Sequence, residues 1–390
     1  MKAARFLTPK SIFYGEGVLD QALKEIVSYG NKPLIVTGNS AVRLGYVKRV
    51  MEFLRDYNIF PVLYNDVTSE PDDKHVEKGL EIYENNNCDF LIAIGGGSPI
   101  DAAKAIGIMV ANPGKISDYM GLDKVENNIP PVIAIPTTSG TGSEVTRYTI
   151  INDTSRDVKM LIASFYIMPE MAIVDPELTI SVPASVTAAT GLDALTHAIE
   201  GYTSVKNQPL TDNLALSAIR RISGYLKKAY LDGNNMEARS QLMLASTEAG
   251  LVINNSSVTL VHGMSRPIGA LFHIPHGISN AVLLCDCMKF ACTGNPKKFA
   301  ELARAMANDC IEGSAPELAI KGVMLVRSLC NDVGIPNLLE LGIEKNDYLA
   351  NLEKMADDAL ASGSPGNTYR SPDKEDIISI YKKLLDYSNK

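Results

Sequence analysis

Residues 89–104 read DFLIAIGGGSPIDAAK. The apolar run ending at Ile94 is short and unbroken, as in a strand buried on both faces. Gly95, Gly96 and Gly97 then permit a tight turn with close backbone approach. From Pro99 the pattern turns helical. Strand, glycine turn and helix in that order make one βα unit of a parallel sheet. The same alternation extends outward in both directions. PLIVT (33–37), FPVLY (60–64) and PVIAI (131–135) are further strand candidates, spaced by helical stretches such as the amphipathic one running through Arg55. Beyond Pro183 the strands stop. VTAATGLDALTHAIEGYTS (186–204), TDNLALSAIRRISGYLKKAY (211–230), EARSQLMLASTEAGLVINN (237–255) and EDIISIYKKLLDY (375–387) all carry helical periodicity, punctuated by Gly, Pro and Asn. The expectation is an α/β domain with a parallel sheet over residues 1–182, followed by an all-helical domain over residues 183–390.

Bulk composition agrees with two globular domains, since 390 residues exceed one ordinary core. A net charge of -8 with no Lys/Arg-rich run argues against nucleic acid or an anionic membrane as partner. No apolar run reaches the eighteen residues of a membrane span, and the opening MKAARFLTPKSIFYGEG lacks a signal-peptide core. The six cysteines form no CxxC pair or disulfide framework, so reduced thiols and a cytoplasmic setting are expected.

Two loops follow predicted strands. Gly95, Gly96, Gly97 and Ser98 precede a helix whose free N–H groups and positive dipole end suit a pyrophosphate. GGGS is not GxGxxG, and a tight turn without a ligand would look the same. PTTSGTGSEVT (136–146) offers short hydroxyl donors, including Thr137, Thr138 and Thr141, although a plain Ser/Thr-rich turn is the bland reading. Two such loops at the carboxyl ends of parallel strands occupy the place where open α/β sheets bind ligands. A third turn bears on cofactor choice. An acid there would hold the adenine ribose 2′-hydroxyl and repel a 2′-phosphate. Gly38, Asn39 and Ser40, with Arg43 beyond, tolerate that phosphate and favour NADP(H) over NAD(H); helix capping would select similar residues.

Only five histidines are present. Asp193 and His197 are four apart on a helical stretch and share a face. His262 lies on another apolar helical stretch, and His276 sits at a loop or helix start. A carboxylate and three imidazoles suit Fe(II), Zn(II) or a similar divalent ion, and four protein ligands leave room for a substrate oxygen. His273 reads as a neighbour or proton carrier rather than a ligand. His75, in the charged stretch DDKHVEKG, reads as surface.

GGGSPIDAAK, PTTSGTGSEVT, GLDALTHAIEGYTS and HGMSRPIGALFHIPHG together resemble the iron-containing (group III) alcohol dehydrogenases over nearly the whole chain. The resemblance implies a dehydroquinate synthase-like architecture, with Rossmann-like nucleotide binding in the α/β domain and metal binding in the all-helical domain. It places metal ligands on Asp193, His197, His262 and His276. It places cofactor contacts on Gly38 to Ser40, on Gly95 to Ser98, on Asp101 of the following helix, on Thr137, Thr138 and Thr141, and on Lys159. Reversible hydride transfer between a nicotinamide cofactor and a short primary alcohol or its aldehyde is the implied reaction, in a homodimer or higher homo-oligomer. His273 is the candidate catalytic proton carrier. Two positions depart from the family. Arg266 stands where many members carry histidine; it could meet an anionic substrate group, or pair with a structural carboxylate, which is the favoured expectation. In TSEPDDKHV, Glu70 stands where some members carry asparagine. A same-fold glycerol dehydrogenase or dehydroquinate synthase, and a non-catalytic metal- or nucleotide-binding protein, are the alternatives.

Overall fold

The computed structural model describes residues 3–67, 70–156 and 158–385. They form two compact units. Leu7–Ser181 is one, and the chain from Val182 onward, joined by the described residues up to Phe6, is the other. The opening residues thus pack with the helices rather than with the sheet, and the Gln208 amide donates to the Arg5 carbonyl at 3.2 Å.

The first unit holds nine strands among its described residues: β1 (Ser11–Tyr14), β2 (Pro33–Thr37), β3 (Val62–Tyr64), β4 (Phe90–Gly95), β5 (Gly121–Leu122), β6 (Val132–Pro136), β7 (Tyr148–Asp153), β8 (Val158–Ala163) and β9 (Met171–Val174). Six make a parallel sheet in the order β1-β9-β6-β4-β2-β3. Every residue of β2, β4, β6 and β9 is buried, because both faces are covered. Side chains alternate between the faces. Leu34, Val36, Leu91, Ala93, Val132 and Ala134 join one core with residues of α4 (Asp73–Asn85) and α5 (Gly97–Ala111). Ile35, Ile92, Ile94, Ile133 and Ile135 join another with α1 (Val18–Ile26) and α3 (Tyr46–Asp56). A short helix α2 (Asn39–Arg43) follows β2. Because the strands are parallel, the ends of β2, β4 and β6 carry their three loops on one edge of the sheet. An antiparallel β7–β8 hairpin, with β5 alongside β8, forms a separate small sheet.

The second unit has α6 (Ala184–Tyr202), α7 (Pro209–Leu231), α8 (Met236–Asn255), α9 (Leu260–Phe272), α10 (His276–Ala291), α11 (Pro296–Met306), α12 (Ala315–Asp332), α13 (Lys345–Ala350), α14 (Leu352–Ala361) and α15 (Lys374–Lys383). They share one apolar core. Small residues set how closely the helices approach. A Cβ on Gly277 would lie 2.4 Å from the Ala189 carbonyl oxygen, so only glycine lets the start of α10 rest on α6. That contact carries His276 toward Asp193. Among the described residues, no helix is long and apolar enough to cross a membrane. All six cysteines are free.

Candidate functional site

The helical unit brings Asp193, His197, His262 and His276 together, with one ligand atom from each lying within 4.8 Å of the others. Asp193 and His197 face the cluster from one side of α6, His262 from the first turn of α9, and His276 as the first residue of α10. Asp193 Oδ1 is 3.9, 4.0 and 3.7 Å from Nε2 of His197, His262 and His276. The His197 and His262 rings stack at 4.7 Å between centroids. An ion about 2.1 Å from each of four tetrahedral donors holds those donors roughly 3.4 Å apart. The observed spacings fit a divalent ion after a small contraction.

Electrostatics favour the same reading. Burial alone would raise the Asp193 carboxyl, but the three imidazoles and the Asn280 amide hold it below its ordinary value. Burial, with His197 and His276 beside it, pushes His262 well below 6.5, leaving a neutral ring with a free lone pair. Three of the four residues are buried and the His276 side chain is 43% exposed, so the cluster opens on that side. Structural sites are closed, whereas catalytic sites keep an opening for substrate.

Two residues of this region escaped sequence reasoning. Asn280, one turn after His276, donates to Asp193 Oδ1 at 2.7 Å and lies 3.2 Å from Nε2 of both His262 and His276. Its Oδ1 and the Nδ1 of His197 are buried with no hydrogen-bond partner among the described residues. Glu200, two turns after Asp193, is 1% exposed and faces His262 Nδ1 at 2.5 Å. An acid inside the apolar helix GLDALTHAIEGY was the available signal, because a buried carboxylate needs partners. Arg266, which the sequence singled out, meets the expected carboxylate in part, because the Glu200 charge acts on it. Its guanidinium donates to Ser364 Oγ at 3.4 Å, and no carboxylate of the described residues forms an ion pair with it. His273 is exposed, sits outside the ligand group and ends α9 in the left-handed conformation. His75 is half-buried rather than a surface residue. Asp72 accepts from its backbone amide at 2.9 Å, and its ring caps the start of α4 in return.

In the sheet unit the two phosphate-type loops are built against each other. Thr137 N donates to the Gly95 carbonyl at 2.8 Å. A Cβ on Gly97 would meet Thr141 Cγ2 at 2.9 Å, and one on Gly96 would meet Thr138 Oγ1 at 3.3 Å. Gly96 is the residue before α5, so the N–H groups of Gly97 and Ser98 open this helix. Asp101 takes the Ser143 hydroxyl at 2.7 Å and the Ile150 amide at 3.2 Å, which ties α5 to the second loop and to β7. Lys104, fully buried and unforeseen, donates to the carbonyls of Ser143, Thr146 and Tyr148 at 2.7–2.9 Å and to two hydroxyls. Burial pushes its ammonium down to about 8, with Asp101 and Glu144 opposing that fall.

Gly38 begins the turn after β2, and a Cβ there would lie 2.8 Å from the Val67 carbonyl oxygen. Asn39 and Ser40 are exposed beside it, with Arg43 reaching Ser40 Oγ at 3.5 Å. Lys159 on β8 pairs with Glu70 at 2.6 Å, so the family-like lysine meets the residue that departs from the family. Thr68 and Ser69 of the same departing segment lie outside the described residues.

Family models agree with both halves. Residues 9–176 match the iron-containing alcohol dehydrogenase model, and residues 187–385 match the C-terminal model of the Fe-containing alcohol dehydrogenase family. The chain is 36% identical to the 1,3-propanediol dehydrogenase of Klebsiella pneumoniae, over 97% of this chain and 98% of that one. It is also 36% identical to the NADPH-dependent butanol dehydrogenase of Clostridium saccharobutylicum, over 97% of each. A crystal structure of 1,3-propanediol oxidoreductase superposes with a TM-score of 0.94 at 35% identity, covering 98% of this chain and all of that one. The chain belongs to the iron-containing alcohol dehydrogenase family, enzymes that interconvert alcohols and aldehydes.

Proposed function

We propose that this enzyme reduces a short aldehyde to its primary alcohol with NADPH, and that Asp193, His197, His262 and His276 hold the divalent ion, Fe(II) by family and Zn(II) by ligand chemistry. The observation that carries the reading is the convergence of one carboxylate oxygen and three imidazole nitrogens within 4.8 Å in an otherwise apolar helical core. When bound, the ion supplies Lewis acidity that stabilises negative charge developing on the substrate oxygen. The chain's own residues do the rest. Neutral His262 offers a lone pair, and half-exposed His276 leaves the approach open to a small alcohol. Exposed His273 serves as proton carrier between that region and water.

The sheet unit is assigned the cofactor. The N–H groups opening α5 take the pyrophosphate, with Thr138 and Thr141 against the glycines as hydroxyl donors. Asp101 and Lys104 shape these loops from behind. Asn39 and Ser40 at the end of β2, with Arg43 alongside, carry no negative charge against a 2′-phosphate, which supports NADP(H) over NAD(H). The NADPH-dependent butanol dehydrogenase among the relatives is in keeping with that choice. A homodimer or larger homo-oligomer in the cytoplasm, where the free thiols stay reduced, completes the proposal.

The test is an NADPH oxidation assay with anaerobically prepared, Fe(II)-loaded protein and a panel of short aldehydes. Oxidation with at least one of them, faster with NADPH than with NADH, is expected. No oxidation with any aldehyde overturns the reading.

A further inference from the structure

Glu200 is an expensive residue in an apolar helix. It is 1% exposed, and burial drives its carboxyl upward against the donors that hold it down. Those donors all come from the start of α9. Oε1 accepts from the Thr259 hydroxyl at 2.7 Å and from the Val261 amide at 2.6 Å. Oε2 faces His262 Nδ1 at 2.5 Å. Thr259 is the residue before α9, and Val261 N–H is one of the amides a helix leaves without an internal partner. One carboxylate therefore does two things. It satisfies the amino end of α9, and it holds the first ring that this helix presents.

The second task has a chemical consequence. A neutral imidazole carries its proton on one nitrogen only. A carboxylate at Nδ1 stabilises the Nδ1–H form and leaves the lone pair on Nε2, the nitrogen directed at Asp193.

Resting on the metal-site reading above, we infer that Glu200 is a positioning residue, which fixes the tautomer and orientation of His262 without touching the ion. Outer partners of ligating histidines typically contribute ten- to hundredfold in metal affinity.

The test uses Zn(II) as a redox-inert probe, with affinity measured on the full chain by competition against a chelator. Glu200→Gln preserves shape, and its carbonyl still accepts from Thr259 and Val261. Its NH2 group, however, turns toward Nδ1 and favours the opposite tautomer. Zn(II) affinity is expected to fall about ten- to hundredfold, while the melting temperature of the metal-free protein stays near that of the wild type. Nitrogen NMR of the His262 ring is expected to show the proton on Nδ1 in the wild type and not in the variant. Affinity within about twofold of wild type, or a loss accompanied by an equal fall in metal-free stability, overturns the inference. Should Glu200→Gln not fold, Glu200→Asp carries the test. It keeps the charge but cannot span both α9 and the ring, so weakened binding is expected and full affinity overturns the inference. A wild-type protein that binds neither Zn(II) nor Fe(II) sinks the metal-site reading itself, a result separable from either variant.

Discussion

The two units hold their ligand-binding features by opposite means. In the sheet unit the proposed cofactor site is largely backbone: glycines, helix amides and short hydroxyls at strand ends, with Lys104 and Asp101 behind them. In the helical unit it is almost wholly side chain, with Asp193 and three imidazoles gathered from three helices inside an apolar core. Backbone sites are written as contiguous motifs. Side-chain sites are scattered, and each group must be supported by another. Glu200 and Asn280 provide that support in one unit as Lys104 does in the other.

If the two sites are independent constructions, single changes separate them. Asp193→Ala removes the only carboxylate among the four proposed ligands. Turnover is expected to fall by about 10³-fold or more, since a Lewis-acid ion contributes several kcal/mol to the transition state. NADPH binding, followed by fluorescence, is expected to stay unchanged. A parallel loss of NADPH affinity would break the comparison.

Lys104→Met strips a buried ammonium from five oxygen acceptors. A loss of about 3–5 kcal/mol is expected in denaturant unfolding of the sheet unit, the usual cost of stranding buried polar partners. An unfolding curve like the wild type's would show that those oxygens find other donors.

A pair of glycine changes sharpens the contrast. Gly277→Ala drives a methyl against the Ala189 carbonyl, moving α10 and with it His276. Gly97→Ala drives one against Thr141. Overpacking of this kind costs about 1–3 kcal/mol, or roughly ten- to hundredfold in affinity. The first change is expected to weaken metal binding alone, and the second NADPH binding alone. Crossed effects would contradict independent sites.

pH supplies a gentler probe. His262 is held well below its ordinary value of 6.5, so the unfolded chain binds a proton there that the folded chain refuses. Stability of the metal-free helical unit is therefore expected to decline as pH falls below about 6.5. Removing the imidazole with His262→Gln should flatten that decline, as read by thermal melts at pH 7 and pH 5.

The smallest effect concerns Arg266. Its guanidinium is largely buried, donates to one hydroxyl at 3.4 Å and feels the Glu200 charge, so Arg266→His, which keeps a donor, is expected to cost about 1 kcal/mol of stability. Rates with carboxylated and neutral aldehydes decide its role. Equal changes for both would remove any part in anion binding.

Legibility followed the same division. The strands PLIVT and DFLIAI, the GGGS turn and the Thr loop were readable because buried parallel strands are contiguous apolar runs, and glycine turns follow them directly. The edge strand β1 and the β7–β8 hairpin were not. Their exposure alternates or is partial, and polar residues such as Thr149, Asn152 and Lys159 break up their apolar runs. Asp193 and the three histidines stood out because imidazoles are few and their neighbours apolar. Glu200 meets Thr259, Val261 and His262 some sixty positions away in the chain, and Lys104 meets its acceptors about forty away. Only folding reveals such partners. Arg266 was legible in part, because the Glu200 carboxylate acts on its charge as expected, but no direct ion pair forms among the described residues.

The central claim is that four residues of the helical unit hold an ion on which turnover depends. Metal analysis of anaerobically purified protein, run in parallel with NADPH oxidation on the aldehyde panel, tests it most directly. The expected result is one divalent ion per chain, lost together with turnover on chelation, regained together on adding Fe(II), and absent from Asp193→Ala. Full turnover in protein stripped of metal, or an ion retained undiminished by Asp193→Ala, would contradict it.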